Sequence, residues 1–349
     1  MFFASDNTSP AHPSVLAALA RANEGYAKSY GTDAIMDRVR DQIRDLFEAP
    51  DAAVYLVATG SAANALAVSI LCQPWETIYC HRNAHIEEDE CGAPEFYTNG
   101  AKLTLLEGKD AKIDIEELRK AIHFTARAGV HNVQKGALSI TNVTEQGTVY
   151  HPSEIAALTA LAHEHGIPCH LDGARFANAI VATGATPAEM TWKAGIDVLS
   201  FGGTKNGLMG VEAVVIFDPK RAWEFELRRK RGGHLFSKHR YLSAQMEAYL
   251  ADGLWLDMAR EANRTGALLS QGIVKAGATL LHPTDANCVF AKWPRGKHQS
   301  LIDGGANYYF WPFDQDIEGP LDVDLSARLV TSWCTTDEDV ERFLSLMNG

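Results

Sequence analysis

The sequence has no long apolar run, no extended basic tract and no closely spaced cysteines, and each absence removes a class of protein. No segment is apolar for long enough to span a bilayer, and Met1-Phe2-Phe3-Ala4-Ser5-Asp6 lacks the basic start and apolar follow-on of an export signal. A membrane role is not expected, and a cytoplasmic location is. The six cysteines (Cys72, Cys80, Cys91, Cys169, Cys288, Cys334) form no C-x-x-C pair, which argues against a disulfide framework and a cysteine-rich zinc site. They read as reduced packing residues. Basic residues gather only in Arg228-Arg229-Lys230-Arg231, and a net charge of −12 repels a phosphate backbone, so nucleic acid is not an expected partner. Low-complexity segments are missing too, and 46% hydrophobic with 22% charged residues is the balance of an ordinary globular protein. A chain of 349 residues exceeds what one compact core usually holds, which predicts a large and a smaller domain.

What is present is an alternation of strands and helices. The apolar spacing of Ile35, Met36, Val39, Ile43, Leu46 and Phe47 predicts a helix over 33–47. Strands are expected at 53–57, 77–80, 102–106, 137–141, 168–171, 198–201 and 213–217, with helices between them. One, at 62–71, follows the turn Thr59-Gly60-Ser61, and another opens at Pro152 and closes at Gly166. This pattern predicts an α/β domain with a mostly parallel sheet covered on both faces. Beyond about residue 240 it changes to a long helical stretch over 241–276, strands near 288–293 and 328–333, and a last helix with a capping box at Thr335 and Glu338. The expected division is therefore a large domain over 1–240 and a small α+β domain over 241–349.

Three segments fall at strand ends, where open α/β sheets hold their ligands. Ala58 to Asn64 runs through small residues into a helix start, where backbone N–H groups can meet a phosphate, although a plain tight turn would look the same. His170-Leu171-Asp172-Gly173-Ala174-Arg175 delivers a carboxylate and then a guanidinium, suited to a protonated ring nitrogen and a substrate carboxylate, or simply to each other. Ser200 to Gly207 sets Lys205 among glycines, which would let the backbone pass close to a bulky ring. An amine must shed its proton before attacking an aldehyde, and a constrained, partly buried loop favours the neutral form. Each segment alone has an ordinary explanation. Together, in this order, they match the phosphate, ring nitrogen and aldehyde of pyridoxal phosphate.

The same residues resemble the L-threonine aldolases, pyridoxal-phosphate enzymes of the aspartate-aminotransferase-like fold type I and relatives of the β-eliminating lyases. Asp172-Gly173-Ala174-Arg175-Phe176-Ala177-Asn178 and Leu199 through Gly207 are similar to the bacterial low-specificity branch, and the likeness runs from Ser5 to Trp333. The resemblance implies retro-aldol cleavage of L-threonine, L-allo-threonine or phenylserine to glycine and an aldehyde. It makes Lys205 the Schiff-base lysine, Asp172 the partner of the ring nitrogen, and Thr59, Gly60 and Ser61 the phosphate cup. It also makes His85 a ring-stacking residue and candidate base, and gives Ser5, Arg175 and Arg328 the substrate carboxylate. Arg175 would stand close to the cofactor as well. Tyr30 corresponds to an active-site tyrosine near a dimer interface, Lys238 is the candidate for the basic residue that reaches the phosphate from a neighbouring subunit, and a homodimer or homotetramer is implied.

Thr141-Asn142-Val143-Thr144 departs from the family's Glu-Asn-Thr-His run, so the histidine expected at the substrate hydroxyl is missing. That puts β-carbon stereoselectivity in question. The alternatives are another reaction on the same scaffold, β-elimination or transamination, or a non-catalytic binding protein. His81 and His85, four residues apart before Glu87 to Glu90, could suggest a metal only on one helical face, and the stretch reads instead as a loop. The aromatic run from Tyr308 to Phe313 is expected to serve packing or subunit contact.

Overall fold

A computed structural model describes residues 1–349. Strands β1 (Ala53–Val57), β2 (Glu76–His81), β3 (Lys102–Leu106), β4 (Gln134–Thr141), β5 (Cys169–Gly173), β6 (Val198–Gly202) and β7 (Glu212–Ile216) form a seven-stranded sheet in the order β1-β7-β6-β5-β4-β2-β3. Its pairs from β6 to β3 are parallel, whereas β7 lies antiparallel to both β1 and β6. The reason is local: the connection over 203–211 is shorter than the dozen or more residues a parallel crossover needs. Every residue of β5, β6 and β7 is buried, as expected of strands covered on both faces. This is the mixed α/β architecture that the strand and helix alternation predicts.

The second sheet is antiparallel and comprises β8 (Thr279–Leu280), β9 (Cys288–Pro294), β10 (Tyr309–Phe310) and β11 (Asp324–Val330), in the order β10-β11-β9-β8. The helical stretch expected over 241–276 is two helices, Arg240–Leu250 and Leu254–Lys275. Asp252 (φ 52°) and Gly253 (φ 74°) take left-handed conformations between them, and that breaks the helix. The last helix is capped one residue later than expected, with Thr336 and Asp339 bonding reciprocally.

Leu242, Met246, Tyr249, Trp255 and Met258 pack into the core beneath the large sheet, whereas Leu269 and Ile273 join Trp293, Leu329 and Phe343 in a second core. The change of core therefore occurs within helix Leu254–Lys275. The chain start belongs to the second core as well: Phe3 is fully buried there, its N–H donates to Asn307 O (2.7 Å), and its carbonyl accepts from the Val330 N–H (2.7 Å). Tyr308 and Phe343 pack edge to face at 5.9 Å within that core, which accounts for part of the aromatic run as packing. No helix is long and apolar enough to cross a membrane.

Candidate active site

The ends of β1, β5 and β6 open onto one cavity of about 350 Å³. From β1 comes the start of helix Gly60–Ser69. Thr59 caps it, its Oγ1 accepting from the Ala62 N–H (3.2 Å), and a Cβ on Gly60 would meet no heavy atom within 4 Å. Thr59, Gly60 and Ser61 therefore present a helix N-terminus, with its unpaired amides, to open space.

From β5 comes Asp172, only 2% exposed. Its Oδ1 accepts from the Ala174 N–H (3.0 Å) and its Oδ2 from Asn64 Nδ2 (3.0 Å), which fixes the carboxylate's plane while leaving acceptor capacity toward the cavity. From the end of β6 comes Lys205, in a turn pinned on several sides. Asn206 Nδ2 donates to Tyr249 Oη (2.8 Å) and Trp255 O (2.9 Å), Thr204 Oγ1 accepts from the Val211 N–H (3.2 Å), and Gly207 O accepts from the His12 N–H (2.9 Å). Lys205, Asp172 and the Thr59 turn thus line a single cavity, as their order along the chain led one to expect.

The glycines around Lys205 answer to packing rather than to space for a ring. A Cβ on Gly202 would lie 2.4 Å from Ala174 O, and one on Gly203 would lie 2.4 Å from a Leu208 methyl and 2.7 Å from Val211 O. The loop bearing Lys205 and the loop bearing Asp172 are in backbone contact. Gly207, at φ 88°, needs the left-handed region directly.

Arg175 is buried and engaged. It forms no pair with Asp172: its Nε and Nη2 donate to Asp6 Oδ2 (2.6 Å) and Oδ1 (2.9 Å), a bidentate pair between side chains 4% and 1% exposed. Asn287 Nδ2 also donates to Asp6 Oδ2 (3.1 Å). Burial alone would raise the Asp6 pKa, but Arg175, Lys205 and Asn287 hold it below the usual carboxylate range. One edge of the Arg175 guanidinium is therefore filled from within the chain, and Nη1 is what remains for a ligand. Arg328, half-buried, lies 5.4 Å over the Trp311 ring, and its charge and that of Arg175 both bear on the buried Cys288. Ser5 Oγ accepts from the Asn7 N–H (3.2 Å), and Asn7 rather than Ser5 lines the cavity.

Tyr30 and Lys238 are exposed and stand outside this cavity; Tyr30 lies under Lys230, 4.7 Å from its ring centroid. Thr144 is buried and hydrogen bonds with Thr148 (2.8 Å between hydroxyls), away from the cavity. His81 ends β2 and faces Gly108 O (3.2 Å). His85 begins a helical turn, His85–Glu88, where the sequence suggested a loop. The two imidazoles turn to different neighbours, and His85 lines the cavity.

Two buried carboxylates at the site escape sequence reasoning. Glu90 Oε1 lies 2.9 Å from His85 Nδ1, within hydrogen-bond distance, and accepts from Asn64 Nδ2 (2.8 Å). It closes the acidic run Glu87 to Glu90, whose other members are exposed, so composition marks the run as a solvated face. Glu212 lines the cavity and accepts from the Gly203 N–H (2.6 Å); burial raises its pKa to about 7 against the pull of the Thr204 and Gly203 hydrogen bonds and of Lys205. It opens a strand whose predicted start lay one residue later. Asn64 was within sight: it is the amide in an otherwise small and apolar run of buried helical residues, Ala62 to Val68.

Comparison with known proteins agrees with the geometry. The family described as "Beta-eliminating lyase" matches residues 3–294. The chain is 43% identical over 308 residues, 88% of each chain, to a low specificity L-threonine aldolase of a Pseudomonas strain. It is 40% identical over 345 residues, 99% of this chain and 95% of the other, to the enzyme of that name from Pseudomonas aeruginosa. The solved structure of a threonine aldolase from Leishmania major superposes with a TM-score of 0.91 at 28% identity, covering 99% and 98% of the two chains. A serine palmitoyltransferase from Sphingomonas wittichii shares the fold at a TM-score of 0.70 and 15% identity, covering 100% and 86%.

Proposed function

The chain belongs to the β-eliminating lyase family, and from that membership and the geometry of its cavity we propose a pyridoxal-phosphate-dependent aldolase that cleaves L-threonine, L-allo-threonine and related β-hydroxy-α-amino acids to glycine and an aldehyde. The observation that carries the proposal is that Lys205, Asp172 and the helix start at Thr59, Gly60 and Ser61 line one cavity. These residues fit the cofactor: an amine for its aldehyde, an oriented buried carboxylate for its ring nitrogen, and a helix N-terminus facing open space for its phosphate. When bound, pyridoxal phosphate supplies the sink for the electron pair released from the Cα–Cβ bond.

The protein's part is to hold, orient and move one proton. Nζ of Lys205 anchors the cofactor, and Asp172 keeps its ring nitrogen protonated. Arg328, Nη1 of Arg175 and Ser5 bind the substrate carboxylate, which orients the bond to be broken. His85 takes the β-hydroxyl proton at Nε2, since Nδ1 is turned to Glu90. Thr144, bonded to Thr148, brings no second imidazole to that hydroxyl, which supports acceptance of both β-configurations.

Tyr30 and Lys238 complete the site of a neighbouring subunit in this reading, which makes the working form at least a dimer. The exposed Tyr26, Tyr30, Met209 and Phe236 supply apolar surface for such a contact, and Met209 stands on the cavity rim. Six unpaired cysteines suit the reducing cytoplasm. The test is incubation of the holoenzyme with L-threonine, L-allo-threonine and phenylserine, assayed for glycine and aldehyde, beside a Lys205→Ala variant. Wild type should yield both products from each substrate, and the variant should lose turnover and hold no borohydride-reducible cofactor. Keto-acid release instead of aldehyde, or full activity in the variant, overturns the proposal.

A further inference from the structure

His85 and Asp172 have separate tasks in the cleavage, yet both are tied to one buried carboxylate, His85 directly and Asp172 through Asn64. Glu90 has a side chain with 0% exposure, and its Oε1 meets two nitrogens: His85 Nδ1 at 2.9 Å and Asn64 Nδ2, which donates to it, at 2.8 Å. The same Asn64 nitrogen donates to Asp172 Oδ2 at 3.0 Å. The amide of Asn64 therefore spans two carboxylates, one beside the imidazole and one beside the cofactor's nitrogen. Glu90 Oε2 is buried without any partner. A carboxylate placed this way costs stability, because its second oxygen gives up water for nothing. Such an arrangement persists where the group serves chemistry.

We propose, on the reading that this site performs aldol cleavage, that Glu90 is a positioning residue: it holds His85 with Nδ1 protonated and Nε2 open to the cavity, and through Asn64 it shares the orientation of Asp172. An imidazole has two nitrogens, and which one is basic is decided by what the other one touches. With Nδ1–H directed at Glu90 Oε1, the lone pair of Nε2 is the one left facing the substrate. As Nε2 gains a proton from the β-hydroxyl, the imidazolium finds its counter-charge 2.9 Å away. The proton passes from the β-hydroxyl to Nε2 of His85, and Glu90 itself forms and breaks no covalent bond.

The charged groups that bear on His85 come from separate elements: Glu90 after its own helical turn, Asp172 from the end of β5, Glu145 from the loop after β4, and Lys205 from the loop after β6. Burial would lower the His85 pKa. The Glu90 hydrogen bond, with the charges of Asp172 and Glu145, carries it above the ordinary histidine value despite Lys205. Burial likewise raises Glu90, against its bonds to His85 and Asn64. The two groups titrate as a pair.

Glu90→Gln retains an oxygen for both donors and removes the charge, its NH2 taking the place of the unpartnered Oε2, so it separates electrostatic support from shape. A base works in its neutral form, so the rate falls as pH drops through the pKa of His85. Taking away Glu90's charge should move that acid limb of kcat to lower pH and reduce the plateau kcat by about tenfold, a part of the roughly 10²–10⁴ that a positioned general base contributes, with KM little changed. Glu90→Ala, which also strands the His85 and Asn64 donors, should lower kcat further. An independent readout is ¹⁵N-histidine NMR of the holoenzyme, with His85→Asn used to assign the signal. Wild type should show the Nδ1–H tautomer, and Glu90→Gln should lower the titration midpoint of that signal. Retained visible absorbance of the Lys205-bound cofactor verifies that the variants are folded. An unshifted midpoint in Glu90→Gln, or an Nε2–H tautomer in wild type, overturns the proposal. A midpoint that moves while the acid limb of kcat stays fixed supports Glu90 as the partner of His85 and overturns His85 as the base, so the two readings fail separately.

Discussion

Removing the Asp6 carboxylate should strand a buried guanidinium, and the cost can be worked from its surroundings. The Asp6 and Arg175 side chains are 1% and 4% exposed and share two short hydrogen bonds, so neither can turn to water when the other is lost. Breaking such a pair from one side typically costs about 3–5 kcal/mol, most of it the penalty of leaving a charge buried alone. At about 2.1 cal/mol/K per residue of unfolding entropy, 349 residues give roughly 0.7 kcal/mol/K, so Asp6→Ala should lower Tm by about 4–7 °C. The pairing argument also dictates a non-additive cycle: Arg175→Met introduced on top of Asp6→Ala removes the stranded charge and should restore part of the loss. The pH sign follows from the lowered Asp6 pKa. Its stabilisation is complete above the unfolded aspartate value and is lost as pH falls through the lower folded value, so wild type and Asp6→Ala should converge in stability in strong acid. Calorimetry of wild type, both single variants and the double variant across pH is the assay. If the two single losses simply add, or Asp6→Ala melts with wild type at neutral pH, then Arg175 is not held in the way the geometry indicates.

Further outcomes are open to measurement. Glu212 carries a folded pKa of about 7 against an ordinary value of 4.5, so the folded protein binds the extra proton and loses stability as pH rises through that interval; Glu212→Gln should flatten the dependence, as read by denaturant midpoints across it. Gly202→Ala would drive a methyl to 2.4 Å from Ala174 O, and relief by backbone movement should cost about 1–3 kcal/mol or more and weaken cofactor retention on dialysis. Wild-type retention in that variant would contradict the backbone contact between the two loops.

Much of the fold was legible because it rests on local pattern. The seven strands of the large sheet announce themselves by buried apolar runs, and Lys205, Asp172 and Thr59 stand out because polar or flexible residues at strand ends interrupt those runs. The reversed direction of β7 was not visible, since parallel and antiparallel strands share one apolar pattern once both faces are covered. The partners of the site residues were also hidden. Arg175 stands three residues from Asp172 and suggests a local pair, but it bonds across 169 positions to Asp6, a distance no spacing rule reads. Glu90 lies in an acidic run that is otherwise exposed, and only the path of the chain after His85 turns one of the four carboxylates inward.

The opening residues also bear on how the chain is made. Phe3 bonds to Asn307 and Val330, and Asp6 to Arg175 and Asn287, so this segment can be seated only after the chain has been made as far as Val330. At synthesis rates of about 5–20 residues per second, that wait is roughly 15 to 65 seconds. For this interval Phe3 lacks the core that buries it, and the cavity lacks the wall that Asn7 provides. The site is therefore closed by a segment synthesised well before the strands that hold it in place.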